Sequence, residues 1–202
     1  MMISRSLLGL SLFFSLCLSS CVSLLPEAGK APTRIWLSPA MTSSPLRHAT
    51  VQTIAVTRPT ATHLLDSERL QIRILTGDIP LVDQVADAEW QDHLPLIVQR
   101  HLVQTLVQSK KFKAAGFNED SFKPDVILET DIHHFDVVIL KDKMYAEVVL
   151  SAKLLASKGR DVIWQKKMSS KVPISAHSLK SFVAALTKAY EQVLYQVTQE
   201  VN

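Results

Sequence analysis

Glycine and cysteine are scarce in this chain of 202 residues, which contains five glycines and two cysteines. No glycine-rich loop that could bind phosphate groups occurs, and this absence excludes a nucleotide-driven motor. The chain also lacks a dense cluster of basic residues. Its net charge is +3, and the densest basic cluster is the short run at 110–113. Nucleic-acid-binding proteins usually gather Lys and Arg on one face, so this class is disfavoured. Apolar residues make up 47% of the chain, a globular composition.

Long apolar runs are also missing. The main one, at residues 7–18, is too short for a membrane-spanning helix, which needs about 20 residues. It follows a short region whose one charge is Arg5, and the small residues Ser19 and Ser20 come after it. This is the layout of an export signal peptide. We therefore expect the mature protein to be exported and to have no transmembrane helix.

Both cysteines lie at the end of this apolar run, four positions apart. A disulfide or a metal site made by Cys17 and Cys21 is excluded, because Cys17 should be removed with the signal peptide. The segment 18–21 (LSSC) resembles a bacterial lipobox. The resemblance implies cleavage before Cys21, diacylation of its sulfur and acylation of the new amine. Two or more acyl chains hold a protein firmly on a membrane. The alternative is an ordinary signal peptide in which Cys21 is incidental.

The resulting organisation has three parts: a signal peptide at 1–20 that is removed, a lipid-anchored tether at 21–33, and a single domain at 34–202. The tether contains two prolines and one glycine and has little periodic pattern. Val22 follows Cys21, where an Asp would resemble an inner-membrane retention signal. The absence of that Asp favours the outer membrane of a bacterial envelope, with the domain facing the periplasm.

Apolar periodicity predicts two helices and several strands. The first helix is expected over 87–111, where Pro95 either opens the helix or kinks it. The second helix should begin at the N-cap Ser178. Strands are expected at 51–56, 70–74, 126–140, 144–155 and 161–172, and the last two should pair antiparallel across the turn at 157–160. The fold class is therefore α/β (α+β): two main helices on a mostly antiparallel sheet, in a single domain.

The strand at 126–140 changes parity along its length. Leu128 and Ile132 share one face, whereas Phe135 and Val137 share the other. An extended strand cannot place both sets in one core unless it has a bulge near His133 or is buried on both sides.

Residues that could carry chemistry form no convincing set. His133 and His134 should point to opposite faces of a strand, so they are not expected to share a metal. His93 and His101 are about 12 Å apart on the predicted first helix, too far for one zinc ion. Trp90 is interpreted as a core anchor of that helix rather than a ligand site.

Three pairs of carboxylates also occur. The pair at 87 and 89 fits a helix start, and the pair at 129 and 131 fits a solvated strand face; the third is at 119 and 120. No G-x-S-x-G or H-E-x-x-H motif is found. We expect no enzyme activity, no catalytic residues, no metal and no cofactor, and the ligand-binding residues stay unknown.

Five segments in order resemble the ABC-type transport auxiliary lipoproteins, the accessory components of MCE-domain lipid transporters. These segments are the lipobox, 34–37, 63–73, 88–112 and 125–135. One departure is Trp36, or Ile35, where many members have Tyr.

The resemblance implies a lipid-anchored component of a transport system that moves lipids or other hydrophobic molecules. It implies contact with an MCE-domain periplasmic protein and with the membrane through acyl chains on Cys21. Self-association and binding of a lipid substrate are further expectations, and nucleic acid is not an expected partner. The alternative function is that of a structural or assembly lipoprotein of the outer membrane.

Overall fold

The computed structural model of the chain describes residues 31–40, 51–75, 77 and 79–201. Pro32–Asn202 forms one compact unit. Within the described residues, nine strands and two helices follow one another as β1 (Thr33–Ile35), β2 (Thr53–Val56), β3 (Thr60–Ala61), β4 (Arg69–Ile74), β5 (Leu81–Trp90), α1 (Leu94–Ser109), β6 (Ala114–Phe117), β7 (Val126–Leu140), β8 (Lys143–Ala156), β9 (Val162–Pro173) and α2 (Leu179–Glu200).

The long strand β7 organises the sheet. On one side, β8 pairs with β7 along its whole length, and β9 pairs with β8. On the other side, three short strands share the length of β7: β2 at its start, β3 near its middle and β4 at its end. Beyond them lie β6 next to β2, and β5 and then β1 next to β4. On this side, β7 therefore joins two groups of described strands that do not pair with each other: β2 with β6, and β4 with β5 and β1.

The direction of the strands makes the sheet mixed. Strands joined by a short connection, β4–β5, β7–β8 and β8–β9, pair antiparallel. In contrast, β2, β3 and β4 all run parallel to β7, which they can do because β5, α1 and β6 intervene in the chain. The α+β class with two helices on one sheet is confirmed. The antiparallel pair of strands predicted at 144–155 and 161–172 corresponds to β8 and β9.

A bulge in β7 explains the change of parity. Ile132 pairs with Leu150 and His134 pairs with Val149, so His133 is the extra residue on β7. The bulge lets Ile132 and Phe135, three positions apart, both enter the same core. Of the two explanations that the sequence left open, the bulge is correct.

The first helix begins later than predicted. Residues 87–90 belong to β5, and α1 starts at Leu94, with Pro95 in its first turn. Pro95 therefore opens the helix rather than kinking it, because a first-turn residue needs no amide hydrogen for the helical ladder. Residues 87–90 join the sheet instead, since β4 and β1 pair with this segment, and residues 91–93 connect β5 to α1.

The core lies between one face of the sheet and the two helices. The edge of the Trp90 ring meets Phe135, with ring centroids 5.8 Å apart, and Phe135 meets Tyr190 of α2 at 5.3 Å. Trp90 is a core anchor, as predicted, but it reaches the core from β5. At the start of α2, the Ser178 hydroxyl accepts a hydrogen bond from the Ser181 amide, which confirms the predicted N-cap. Among the described residues, no helix is long and apolar enough to cross a membrane.

Two connections meet at one end of the sheet. Because Ile74 pairs with both Leu81 and Ile139, the β4–β5 connection lies beside the β7–β8 turn. We call this end, comprising residues 75, 77, 79–82 and 140–143, the hairpin end. The β8–β9 turn and the start of β7 form the opposite end.

Candidate functional site

The face of the sheet opposite the helices carries the charged residues that the sheet brings together. One row crosses four strands in register: Gln71 on β4, Asp136 on β7, Glu147 on β8 and Lys171 on β9. Alternation along each strand places this row on the reverse side from Val137 and Ala146, which belong to the core. We call the face that carries this row the polar face.

Arg73 joins two carboxylates of the row. Its Nη2 atom lies 3.2 Å from Asp136 Oδ1 and also donates to Glu147 Oε2. The second oxygen of Glu147 accepts from Lys171 Nζ at 2.9 Å. Asp136 is 6% exposed and Glu147 is 8% exposed, so both carboxylates are largely removed from water. Buried carboxylates need such partners, because an unpaired charge in this position would be costly.

The two neighbouring carboxylates differ in their pKa. Burial raises the pKa of Asp136 to about 6, because it outweighs the lowering by the Arg73 charge, and the Glu147 charge adds a smaller rise. Burial would also raise the pKa of Glu147, but hydrogen bonds from Lys171 and Arg73 outweigh it and lower that pKa. Below about pH 6 the pair therefore holds its negative charge mainly on Glu147, the residue that two cations contact, and above this pH both carboxylates are charged.

His134 completes a set of three groups that metal ions often use. Its Nδ1 atom lies 3.7 Å from Asp136 Oδ2, and atoms of His134, Asp136 and Glu147 all lie within 4.8 Å of one another. Burial and the Arg73 charge lower the pKa of His134, which favours the neutral ring. A divalent cation here would have to displace Arg73 and Lys171 from the carboxylates. The geometry is thus better described as a network of ion pairs.

A second polar site lies beside this network, at the bulge. A cleft of about 500 Å³ is lined by residues from β3, β7, β8 and β9 and from the segment before β3. Within it, His133 Nε2 is 2.6 Å from the Ser151 hydroxyl oxygen, and His133 Nδ1 is 3.5 Å from Asp131 Oδ2. The Thr60 hydroxyl donates to the other oxygen of Asp131 at 2.7 Å. The bulge therefore places both His133 and His134 on the polar face, with different partners.

Nucleophilic enzymes use an arrangement of a carboxylate, a histidine and a serine, and the cleft contains one in Asp131, His133 and Ser151. Two features of the geometry limit this interpretation. The 3.5 Å distance from His133 to Asp131 is longer than a normal hydrogen bond. In addition, Ser151 lies inside β8, where the backbone amides belong to the sheet ladder and are not directed at a substrate oxygen. The arrangement can hold a polar group, but it lacks the parts of an acyl-transfer site.

The other histidines predicted as candidates lie apart. His93 precedes α1 and contacts Asp66, with Nδ1 3.1 Å from the carboxylate. His101 is buried in α1 against Tyr190, and burial lowers its pKa to about 4. His101 is therefore neutral and packs as a core residue.

The carboxylate pairs have separate local partners. Asp87 and Glu89 lie in β5 rather than at a helix start, and Glu89 is 3.3 Å from Arg69. Glu129 pairs with Arg160 at the rim of the cleft. Cys21, the predicted site of lipidation, lies outside the described residues.

Sequence reasoning missed the network on the polar face. In the sequence, alternation along 70–74 and 144–155 directs Arg73 and Glu147 to the outward side of their strands, which would be expected to meet water. The structure confirms this side, but it is covered by the ion pairs rather than solvated. No local spacing links Arg73 to Lys171, because β4 must first pair with β7, which lies far along the chain. The only local signal was the presence of charged residues at the outward positions of otherwise apolar strands.

Comparison with known families gives one match, which covers most of the chain. The model described as "ABC-type transport auxiliary lipoprotein component" matches residues 36–198. No curated protein sequence matches this chain significantly.

Solved structures share the fold at low sequence identity. Protein XCC0632 of Xanthomonas campestris, assigned to DUF330, is similar with a TM-score of 0.73 and 22% identity, over 82% of this chain and 92% of that chain. An uncharacterized protein is similar with a TM-score of 0.66 and 11% identity, over 86% and 100% of the two chains. The hypothetical protein CT253 of Chlamydia trachomatis gives 0.51 and 7%, over 75% and 96%.

Proposed function

The chain belongs to the family of ABC-type transport auxiliary lipoprotein components, and we propose that it is the lipid-anchored accessory component of an MCE-type transport system. In this role it faces the periplasm, is held on the outer membrane by acyl chains on Cys21, and helps to move lipids or other hydrophobic molecules across the envelope. The observation that supports this proposal is the extent of the family match, which runs from Trp36 to Thr198 and so includes nearly all of the described domain.

The proposed role is one of binding and positioning rather than catalysis. The groups on the polar face that could carry chemistry already contact one another: Arg73 and Lys171 neutralise the buried carboxylates, and His133 contacts Ser151. An MCE-domain protein is the proposed main partner. Self-association of the anchored chain belongs to the same proposal.

The anchor is tested with two cysteine variants of the full chain. Cys21→Ser should leave an unacylated precursor or soluble form, because the modified sulfur is missing. Cys17→Ser is the matched control, since it changes a cysteine within the signal peptide and should leave anchoring intact. Fractionation and intact-mass measurement give the readout. Firm membrane attachment of the Cys21→Ser form would contradict the lipobox assignment.

The transport role is tested by purifying the mature chain in mild detergent and identifying bound proteins and lipids by mass spectrometry. Recovery of an MCE-domain protein, lost on washing with a competing unlabelled chain, is the expected result. Recovery of cell-wall or outer-membrane assembly proteins alone would favour the structural alternative. Recovery of neither an MCE-domain protein nor a lipid would count against the transport role.

A further inference from the structure

The hairpin end exposes large apolar side chains. Ile79 is 72% exposed, and Leu81 and Val82, at the start of β5, are 56% and 53% exposed. Leu140, at the end of β7, is 39% exposed. Because Ile74 pairs with Leu81 on one side and Ile139 on the other, these residues from two connections lie at one end of the sheet. Clusters of exposed apolar residues are uncommon on a surface that meets only water.

Lysines flank this apolar group. Lys141 follows Leu140 in the β7–β8 turn, Lys143 begins β8 on the other side of the exposed Asp142, and both lysines are exposed. A combination of exposed aliphatic side chains and flanking lysines suits the boundary between lipid headgroups and acyl chains. The aliphatic side chains can enter the boundary, and the long lysine side chains can keep their charges among the headgroups.

The direction of β1 carries the chain towards the same end. Thr33 pairs with Ala88 and Ile35 with Trp90 in parallel, so the first residue of β1 is the one nearer to the start of β5. Seven positions of β5 separate Ala88 from Leu81, about 20 Å along the strand. The twelve steps from Cys21 to Thr33 can span at most about 40 Å. A chain that leaves β1 in this direction can therefore place Cys21 no more than about 20 Å beyond the hairpin end.

We propose that the hairpin end is the surface on which the domain docks to a phospholipid bilayer, with Ile79, Leu81, Val82 and Leu140 in the headgroup boundary. The inference rests on the proposed lipid anchor at Cys21, because the length of chain from that residue limits how far the domain can stand from the bilayer. The strands then stand roughly upright on the membrane. The polar face and the two helices face sideways, where a protein partner can reach them.

Exposed apolar residues at the opposite end provide an internal comparison. Val162 and Ile163, at the start of β9, are 55% and 53% exposed, close to the value for Leu81. They lie next to the start of β7, whose fifteen residues extend over about 50 Å. Their exposure is the same, but the docking geometry places them far from the lipid.

The experiment uses single-cysteine variants of the full lipidated chain. Leu81→Cys and Val162→Cys are each labelled with an environment-sensitive nitrobenzoxadiazole dye, and the chain is reconstituted on vesicles of phosphatidylethanolamine and phosphatidylglycerol. Spin-labelled lipid is then added as a quencher. Quenching of the Leu81 dye by about twofold is expected, because docked side chains enter the boundary by about 5–10 Å. The Val162 dye should keep its intensity.

Three outcomes would overturn the proposal. Equal quenching at both positions would show no preferred orientation, and the absence of quenching at both would show that neither end meets lipid. A dye shift at Leu81 that follows protein concentration but not the quencher would identify a second copy of the chain as the occupant. Replacing Ile79 and Val82 with Ser should also reduce quenching at Leu81, while circular dichroism melts confirm that the fold is kept.

Failure of the lipid anchor at Cys21 can be distinguished from failure of the docking proposal. If Cys21 is not acylated, intact mass lacks the acyl groups and the chain does not float with the vesicles. The docking result is therefore evaluated only on chain whose acylation and flotation have been measured.

Discussion

The two faces of the sheet are stabilised by different interactions. On the helix side, Trp90, Phe135 and Tyr190 pack edge to face and are almost completely buried. On the polar face, Arg73 and Lys171 hold two buried carboxylates. Packing of apolar groups depends little on pH, whereas the ion pairs depend on the protonation of each partner. The comparison shows that an aromatic cluster with little dependence on pH and an ion-pair network that depends on it can be separated by a single layer of backbone.

Deletion of Thr130 from β7 should have the largest effect, because it breaks the distinction between the faces. If the bulge is kept, the shortened strand turns Val126 and Leu128 to the polar face, and if the bulge closes, Ile132 turns there instead. Exposing these buried aliphatic side chains should remove much of the about 5–15 kcal/mol that stabilises an ordinary domain, so the variant should be largely unfolded. Solubility and a thermal melt provide the measurement. Deletion of Lys158, in the β8–β9 turn, is the control and should still fold.

Trp90→Ala tests the helix side of the comparison. Removing this fully buried ring should lower the free energy of unfolding by about 3–5 kcal/mol, as is typical for a large aromatic residue in a core. Trp36→Ala is the matched control, because Trp36 is 71% exposed and should change stability little. Urea denaturation measures both variants. A similar small effect for the two tryptophans would mean that the aromatic cluster contributes little.

Arg73→Met tests the polar face. The variant keeps an extended side chain but leaves Asp136 without its cation, so it should lose about 3 kcal/mol of stability at neutral pH. Lys166→Met removes an exposed ion pair with Glu200 and should cost no more than about 1 kcal/mol. Equal losses in denaturant titrations of the two variants would show that burial adds nothing to the Arg73 pairs.

Asp136→Asn tests how the stability supplied by the polar face depends on pH. Because the pKa of Asp136 is raised to about 6 in the folded protein, its contribution to stability is present at low pH and is lost as pH rises through about 6. Asn cannot titrate. The free energy of unfolding of the variant, relative to the native chain, should therefore increase between pH 4 and pH 7, by at most about 3 kcal/mol.

His134 and Glu147 act in the opposite direction. Both have lowered pKa values, so the stability they contribute is lost as pH falls. They are present in both chains, and comparison of the variant with the native chain at each pH largely removes their contribution. A difference that stays constant from pH 4 to pH 7 would show that Asp136 titrates normally.

Prediction from sequence succeeded where a pattern is local. The alternation in 144–155 and the apolar stripe of α2 identified β8 and the second helix. The change of parity left two explanations for β7, a bulge or a strand buried on both sides, and the structure shows the bulge. Prediction of a helix was wrong at 87–93, because residues 87–90 lie in β5 and residues 91–93 connect β5 to α1. Propensity is a weak preference, and pairing with β4 and β1 outweighs it there.

The sequence by itself determined the family, the fold class and the residues that enter the core, because these depend on order and periodicity along the chain. It also identified Cys21 as the residue to test as an anchor. Only the tertiary structure decided that Arg73 joins Asp136, Glu147 and Lys171 in one network, since β4 reaches the β7–β8–β9 hairpins only through its non-local pairing with β7. The same holds for the hairpin end. The position of its apolar side chains relative to the incoming chain depends on the parallel pairing of β1 with β5, which no local pattern specifies.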